Sequence, residues 1–447
     1  MKAAGTIRVG AGAGFAGDRI EPAVELVEHG ELDYLVFECL AERTIAAAQQ
    51  ARRGDPSGGF DPLLLERMRR VLPAAHARGI RIVTNAGAAN PVGAARAIAA
   101  LARDMGLTPM RIAAVTGDDV LATIEATPWP LIDRFGTTAD LQRKLSANAY
   151  LGAEPIGAAL DRGAQVVVTG RVGDPALFVG PMLHAFGWSL DDPVLIGRGT
   201  MIGHLLECAG QLTGGYFADS GRKQVPGLAR LGFPFADIAP DGTATLGKVA
   251  GSGGQLSVAS CKEQLLYEIL DPGAYHQADV VADFRTARFV QVAPDSIAVS
   301  GGGGTARTGQ LKVSIGYDDG FIGEGQISYA GPAAIDRGRM AIEIVRERLR
   351  IVGAEVSELR CDLIGVDAVD RSGGDGAAAP REVRVRVAGR SANRASAAAI
   401  GAEVEALYTN GPFGGGGATR AVRPVLAIAS TLLPADAVTP KVEMVEA

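Results

Sequence analysis

Carboxylates, side-chain amides and one arginine recur just behind short apolar runs in the first half of the chain. "TIRVG" runs into "AGAGFAGDR", which carries Gly12, Gly14, Gly17 and Asp18. "LDYLVFE" ends on Glu38, and "GIRIVTNAG" on Asn85 and Gly87, with Asn90 close behind. "MRIAAVTGDD" ends on Asp118 and Asp119, and "GAQVVVTGRVGD" on Arg171 and Asp174. If these runs are parallel strands, the polar groups project from one sheet edge, where open α/β sheets bind ligands. Reversible water addition needs a general base, a general acid and a group that holds a carboxylate or carbonyl. Asp18 and Glu38 read as the proton-transfer pair, and Arg171 as a bidentate carboxylate clamp. Amides around Gly12, Gly14, Gly17 and Gly87 would stabilise developing negative charge. Asn85, Asn90 and Asp118 would orient water, and Asp118 with Asp119 would ligate Mg²⁺.

Each of these has a structural counterpart. Asn90 and Asp174 stand where helix caps are favoured. The spacing G-x-G-x-x-G is met by Gly12, Gly14 and Gly17, but Asp18 follows directly and would face a phosphate badly. An amide nest for a carboxylate or a phosphate suits the run better than a dinucleotide does.

Further candidates lie downstream. His204 has Glu207 at i+3 and Cys208 at i+4, which suits a general acid or base or a satisfied structural histidine. Two ligands on one turn do not make a zinc site. Asp219 near Lys223 is an acid–base pair or an ordinary surface pair. Arg307 and Arg420 follow the clusters "SGGGG" and "GPFGGGG", as contacts to an acyl phosphate or coenzyme A, or as parts of mobile hairpins. No G-x-S-x-G, HExxH or Walker A sequence occurs, which argues against a serine hydrolase, a zincin and a P-loop ATPase.

The elements that must position these groups follow from periodicity. The chain has 447 residues, 47% apolar and 21% charged, which is a globular composition with room for more than one core. Strand-like runs alternating with helical stretches predict an α/β fold. Its N-terminal part, residues 1–276, reads as a largely parallel Rossmann-like sheet with helices on both faces. Residues 197–260 read as a long irregular insertion, and "SCKEQLLYEILDPG" (260–273) as a short helix with Leu265, Leu266 and Ile269 on one face, stopped by Asp271-Pro272-Gly273. Residues 277–447 read as an α+β domain with glycine-rich loops. In it "REVRVRVAG" alternates Val383, Val385 and Val387 against Arg384 and Arg386, and residues 370–380 form a solvated loop.

Acidic residues exceed basic ones, 50 to 44, so a nucleic-acid-binding role is disfavoured. The four cysteines, at 39, 208, 261 and 361, are too scattered for a disulfide framework or a CxxC site. No signal peptide and no membrane span are expected, and the default location is cytoplasmic.

Seven segments together resemble one family: "GAGAGFAGDR" (10–19), "DYLVFECLAERT" (33–44), "TNAGAANP" (84–91), "TGRVGDPALFVGP" (169–181), "TGGYFAD" (213–219), "KEQLLYEILDP" (262–272) and "YTNGPFGGGG" (408–417). They resemble the acyclic terpene utilization protein A family over nearly the whole chain. The resemblance implies a part in degrading citronellol- and geraniol-type compounds through coenzyme A thioesters. It also implies a separate small protein partner; homo-oligomer formation is expected for a sheet protein of this size. It assigns no residue a role. The expected function is a hydratase- or dehydratase-type lyase acting on a carboxylate or acyl thioester. The alternatives are a nucleotide- or coenzyme A-binding transferase or ligase, and a non-catalytic scaffold subunit.

Overall fold

The apolar runs of the first half do become the centre of a sheet. A computed structural model describes residues 5–370 and 380–447; the loop expected at 370–380 lies, apart from its two ends, outside the described residues. Two compact units are present, Met1–Gly316 with Ile428–Ala447, and Tyr317–Ala427.

The first unit begins β1 (Ile7–Ala13), α1 (Glu21–His29), β2 (Tyr34–Phe37), α2 (Glu42–Gly54), α3 (Leu64–Arg78), β3 (Arg81–Thr84), α4 (Pro91–Asp104) and β4 (Arg111–Thr116). It continues with α5 (Leu121–Ala126), β5 (Lys144–Ala149), α6 (Glu154–Asp161), β6 (Val166–Thr169), α7 (Ala176–Phe186), α8 (Pro193–Glu207), β7 (Pro234–Ile238), β8 (Ala244–Lys248) and α9 (Val258–Leu266). Then come β9 (Tyr275–His276), β10 (Val280–Asp283), β11 (Arg288–Ala293), β12 (Ser296–Ser300) and β13 (Gly303–Ala306). The long strand β14 (Gln310–Ala330) carries the chain into the second unit. There follow α10 (Ala334–Ile351), β15 (Glu358–Ile364), β16 (Glu382–Ser391), α11 (Arg394–Glu405), α12 (Leu407–Asn410) and β17 (Gly416–Pro434), and β18 (Lys441–Glu446) closes the chain.

The large sheet has ten strands in the order β11-β12-β8-β7-β1-β2-β3-β6-β4-β18. Its middle, β1-β2-β3-β6-β4, is parallel, and β7 and β18 add antiparallel strands on either side. The fold is therefore mixed α/β. After β4 the chain returns to lay β6 between β3 and β4. The carboxyl ends of β2, β3, β6 and β4 are thus neighbours, although Glu38 and Arg171 are far apart in sequence.

Several expectations shift. Gly12 is not in a loop: β1 runs on past "TIRVG" to Ala13, and at Gly10 and Gly12 a side chain would have no room. A Cβ on Gly10 would stand 2.8 Å from Leu32, and one on Gly12 would stand 2.7 Å from the Phe37 ring. The register slips beside Gly12, a local bulge where β1 meets β2. Residues 197–260 are irregular only in part. They hold most of α8 and the hairpin β7–β8, in which Ala236, Ile238, Ala244 and Leu246 are buried. The Asp241-Gly242 turn between them is an ordinary hairpin signal: Thr243 N–H donates to Asp241 Oδ1 at 2.9 Å, and Gly242 sits at φ +79°. Helix α9 stops at Leu266, so Ile269 is outside it and Leu266 is 56% exposed. The change of character at 277 does not start a new unit. Strands β11 and β12 join the large sheet, and the division falls at Gly316/Tyr317.

The second unit keeps the predicted pattern. Val383, Val385 and Val387 on β16 are buried against Val345 and Leu349 of α10 and Ile400 and Val404 of α11. Among the described residues no helix is long and apolar enough to cross a membrane.

Asn90 caps α4. Its Oδ1 accepts from Gly93 N–H at 3.0 Å, and its Nδ2 donates to Gly58 O at 2.8 Å. Those bonds leave it little capacity for the water-orienting part expected of it. Asn90→Ala is expected to lower stability by about 1 kcal/mol, measured by denaturant unfolding, with turnover of any substrate unchanged.

Candidate functional site

Glu38 follows β2 and Asn85 follows β3, and parallel pairing brings the two together. Glu38 is 8% exposed. Its Oε1 accepts from Leu40 N–H at 2.8 Å and from Asn85 Nδ2 at 2.9 Å. Asn85 Oδ1 in turn accepts from Cys39 N–H at 2.6 Å, which fixes the orientation of the amide. Burial, and then the Asp174 carboxylate, push the Glu38 carboxyl up to about 8 against those hydrogen bonds. Burial thus favours the protonated form of Glu38.

Arg171, at the end of β6, lies at the centre of the site. It is 2% exposed. One terminal nitrogen donates to Leu40 O, and the other lies 3.3 Å from Asp174 Oδ1. The guanidinium sits 4.0 Å over the Tyr150 ring. The backbone N–H of Arg171 donates to Asp118 Oδ2 at 2.8 Å, and Asn148 Nδ2 donates to the same oxygen at 2.8 Å. Burial pushes Asp118 up to about 6. Asp174 does not cap α7, whose first turn receives no side-chain bond. Its Oδ1 is buried, and apart from the ion pair it makes no hydrogen bond. Burial raises the Asp174 carboxyl and Arg171 works against that rise.

Residues with little sequence signal complete this cluster. Glu42, at the start of α2, accepts from Tyr150 Oη and, at 3.3 Å, from Lys312 Nζ. Against the burial that would raise it, Arg171 and Tyr150 hold Glu42 down to about 2. Asn148 and Tyr150 come from β5 and the residue after it, a strand outside the large sheet that pairs with β14. Alternation in "KLSANAYL" was the available signal. Arg67 on α3 is the other hidden group. It is 1% exposed, pairs with Asp61, and donates to Ala16 O at 2.6 Å in the glycine loop.

Other candidates are placed differently. Asp18 Oδ2 accepts from Gly14 N–H at 2.8 Å and Oδ1 from Arg19 N–H at 2.8 Å. The loop's amides are thus occupied by the loop's own carboxylate rather than presented as a nest. The carboxylate acting most strongly on Glu38 is Asp174 and not Asp18. Gly14 and Gly87 serve close packing. A Cβ would stand 2.6 Å from the Cys208 backbone at Gly14 and 2.6 Å from Thr169 O at Gly87. Gly17 is an exposed turn residue beside Phe15. Asp119 is exposed and accepts from Gln49 and from Leu121 N–H, whereas Asp118 is buried and accepts from Arg171 N–H and Asn148. Among the described residues no cluster of three or more His, Cys, Asp or Glu side chains suits a metal ion. Asp219 meets Lys223 through its backbone, while the Lys223 ammonium pairs with Glu263. Arg307 is exposed and acts on buried Asp279. Arg420 belongs to the second unit, paired with Glu405 at 3.2 Å.

His204 joins Glu207 in a buried pair, Nδ1 to Oε1 at 2.8 Å. His204 Nε2 and Glu207 Oε2 are both buried without partners. Burial pushes Glu207 up to about 7, with Asp174 adding to that rise against His204. Helix α8 reaches the rim by close backbone packing, since a Cβ on Gly203 would stand 2.8 Å from Pro175 O. The arrangement is a buried set of carboxylates around one guanidinium, in which burial raises Glu38 and Glu207 while Arg171 and Tyr150 hold Glu42 down. Such a set can transfer protons to and from a bound carbonyl compound.

A family model described as Acyclic terpene utilisation family protein AtuA matches residues 7–444. No curated protein and no solved structure matches the chain.

Proposed function

Since the chain belongs to the acyclic terpene utilisation family AtuA, and so to acyclic terpene catabolism, we propose that it is a lyase of the hydratase or dehydratase type. Its substrate would be a branched carboxylic acid or its coenzyme A thioester. The supporting observation is the buried Glu38, its carboxyl raised by burial and by Asp174, with Arg171 2% exposed and 3.3 Å from Asp174. In the dehydration direction Asp174 takes the proton from the carbon next to the carbonyl. Glu38 gives its proton to the hydroxyl that leaves from the neighbouring carbon as water. The electron pair of the broken C–H bond becomes the new double bond. Asp174 then passes the captured proton back to Glu38 through water. Arg171 Nε, buried without a partner, is a donor left for a substrate oxygen.

The test is a panel of branched enoyl and hydroxyacyl thioesters and small hydroxy acids, assayed with and without Mg²⁺. The enoyl absorbance is expected to fall with wild-type protein. Glu38→Gln should slow it by about 10²–10⁴-fold, the usual worth of a positioned acid or base. Conversion of no panel member, or a full rate in Glu38→Gln, overturns the reading.

A further inference from the structure

Outside the carboxylate cluster, one cleft of about 310 Å³ opens beside α9, at the low end of the range for small-molecule sites. Tyr216, Phe217 and Tyr267 line it, together with Gln211, Lys262 and Gln264. Tyr216 meets Tyr267 edge to face, with centroids 5.9 Å apart, and is 87% exposed, so its ring is free for a stacking partner. Its backbone sits at φ +61°, a region that non-glycine residues rarely adopt. The ring is thus held in the open at a conformational cost.

The buried part of the lining specifies a donor on the ligand. Gln264 is 2% exposed. Its Nε2 donates to His204 O at 3.2 Å, which fixes the amide's orientation, and its Oε1 is buried without a partner. An acceptor in that state calls for an N–H or O–H, which a carboxylate or an ester does not carry. Ser260, also buried, donates its hydroxyl to Ser257 O at 3.0 Å, so no donor is left there for a ligand carbonyl. Toward solvent the lining changes sign. Lys262 is exposed and Gln211 half-buried, and neither side chain has a partner among the described residues. Lys223 differs, since Glu263 neutralises it and its ammonium stands 4.8 Å over the Phe217 ring. A flat ring with an exocyclic amine, no carbonyl and an attached anion matches all three parts. Among the nucleobases adenine alone carries an amine and no carbonyl.

We propose that this cleft binds an adenine nucleotide, with its ring stacked on Tyr216, its exocyclic amine donating to Gln264 Oε1 and its phosphate held by Lys262. None of Glu38, Asp174 and Arg171 lines the cleft, so nucleotide binding does not depend on the dehydration proposed above.

The experiment is titration calorimetry of the full chain with AMP, adenosine and purine riboside 5′-monophosphate, which lacks the exocyclic amine. AMP is expected to bind, and adenosine to bind about two- to fivefold more weakly for want of an exposed ion pair. The analogue without the amine should bind about tenfold more weakly than AMP, the worth of one hydrogen bond. Lys262→Ala should bring AMP to the level of adenosine. Tyr216→Asn removes the ring and suits the left-handed backbone. It should weaken AMP by about 5–100-fold, the worth of stacking one base, and leave the melting profile unchanged because the ring is exposed. No heat from AMP or adenosine at millimolar concentration overturns the inference. Equal affinity for AMP and the analogue without the amine overturns it as well, since Gln264 then reads no donor. AMP bound at wild-type affinity by both Tyr216→Asn and Lys262→Ala would place the nucleotide elsewhere and remove the cleft from consideration.

Discussion

Arg171→Met is expected to destabilise the first unit by about 3–5 kcal/mol, the cost of leaving a buried charge without its partner. The guanidinium is 2% exposed and has Asp174 at 3.3 Å, the Leu40 carbonyl and the Tyr150 ring around it. Methionine fills most of the stem's volume but compensates none of these groups. Asp174 would then have to take up a proton, and Glu42 would lose the charge that does most to hold it down. An exposed pair would be worth only about 0–1 kcal/mol, so the magnitude distinguishes the two situations. Both tryptophans, Trp129 and Trp188, lie in the first unit, so tryptophan emission, excited selectively, follows that unit during urea unfolding. Adding Asp174→Leu to Arg171→Met should recover part of the loss, because the stranded carboxylate is then gone. A loss under about 1 kcal/mol in the single variant would mean that the arginine is solvated in solution.

The residues of this site were legible in sequence to the extent that strand order is. Glu38, Asn85, Asp118 and Arg171 each follow a run of Val, Ile and Leu, and a parallel sheet aligns such positions whatever the intervening helices. Partners were not legible, because they depend on the order in which strands lie. Only the insertion of β6 between β3 and β4 puts Asp118 under the Arg171 amide. Only the side strand β5 brings Asn148 and Tyr150 beneath them. Glycine was the most misleading residue type. In "AGAG" the absence of a Cβ suggests a loop, but at Gly12, as at Gly10, it admits a neighbouring side chain, Phe37 or Leu32, to a buried strand. Sequence marks where a side chain is missing and not what occupies the space. The same ambiguity affected Asp174, whose position before Pro175 suits a cap. It faces Arg171 instead, because a buried guanidinium requires a counter-charge more than a helix end requires a bond.

Stability of the first unit is expected to fall as pH rises from about 5 to about 8, and Glu38→Gln should remove much of that fall. The sign follows from where the proton sits. In the unfolded chain Glu38 ionises near its ordinary value of 4.5, and in the folded chain near about 8. Between those values the native state keeps a proton that the unfolded state has released, so unfolding becomes more favourable as pH rises. At about 1.4 kcal/mol per unit the effect is several kcal/mol, fully lost above the folded value. Glu207, raised to about 7, and Asp118 and Asp279, each raised to about 6, act in the same direction and leave a shallower slope in the variant. Glu42 acts oppositely. Held near about 2, it contributes stability above its ordinary value that disappears only as pH falls toward 2. The measurement is urea unfolding followed by fluorescence at steps from pH 5 to pH 9, for wild type and Glu38→Gln. Glutamine keeps the carbonyl that accepts from Leu40 and Asn85, so the variant should match or exceed wild type at pH 8 and above. Parallel curves for the two proteins would show that Glu38 is ionised in the folded chain, and the acid in the proposed dehydration would then have to be sought at Glu207.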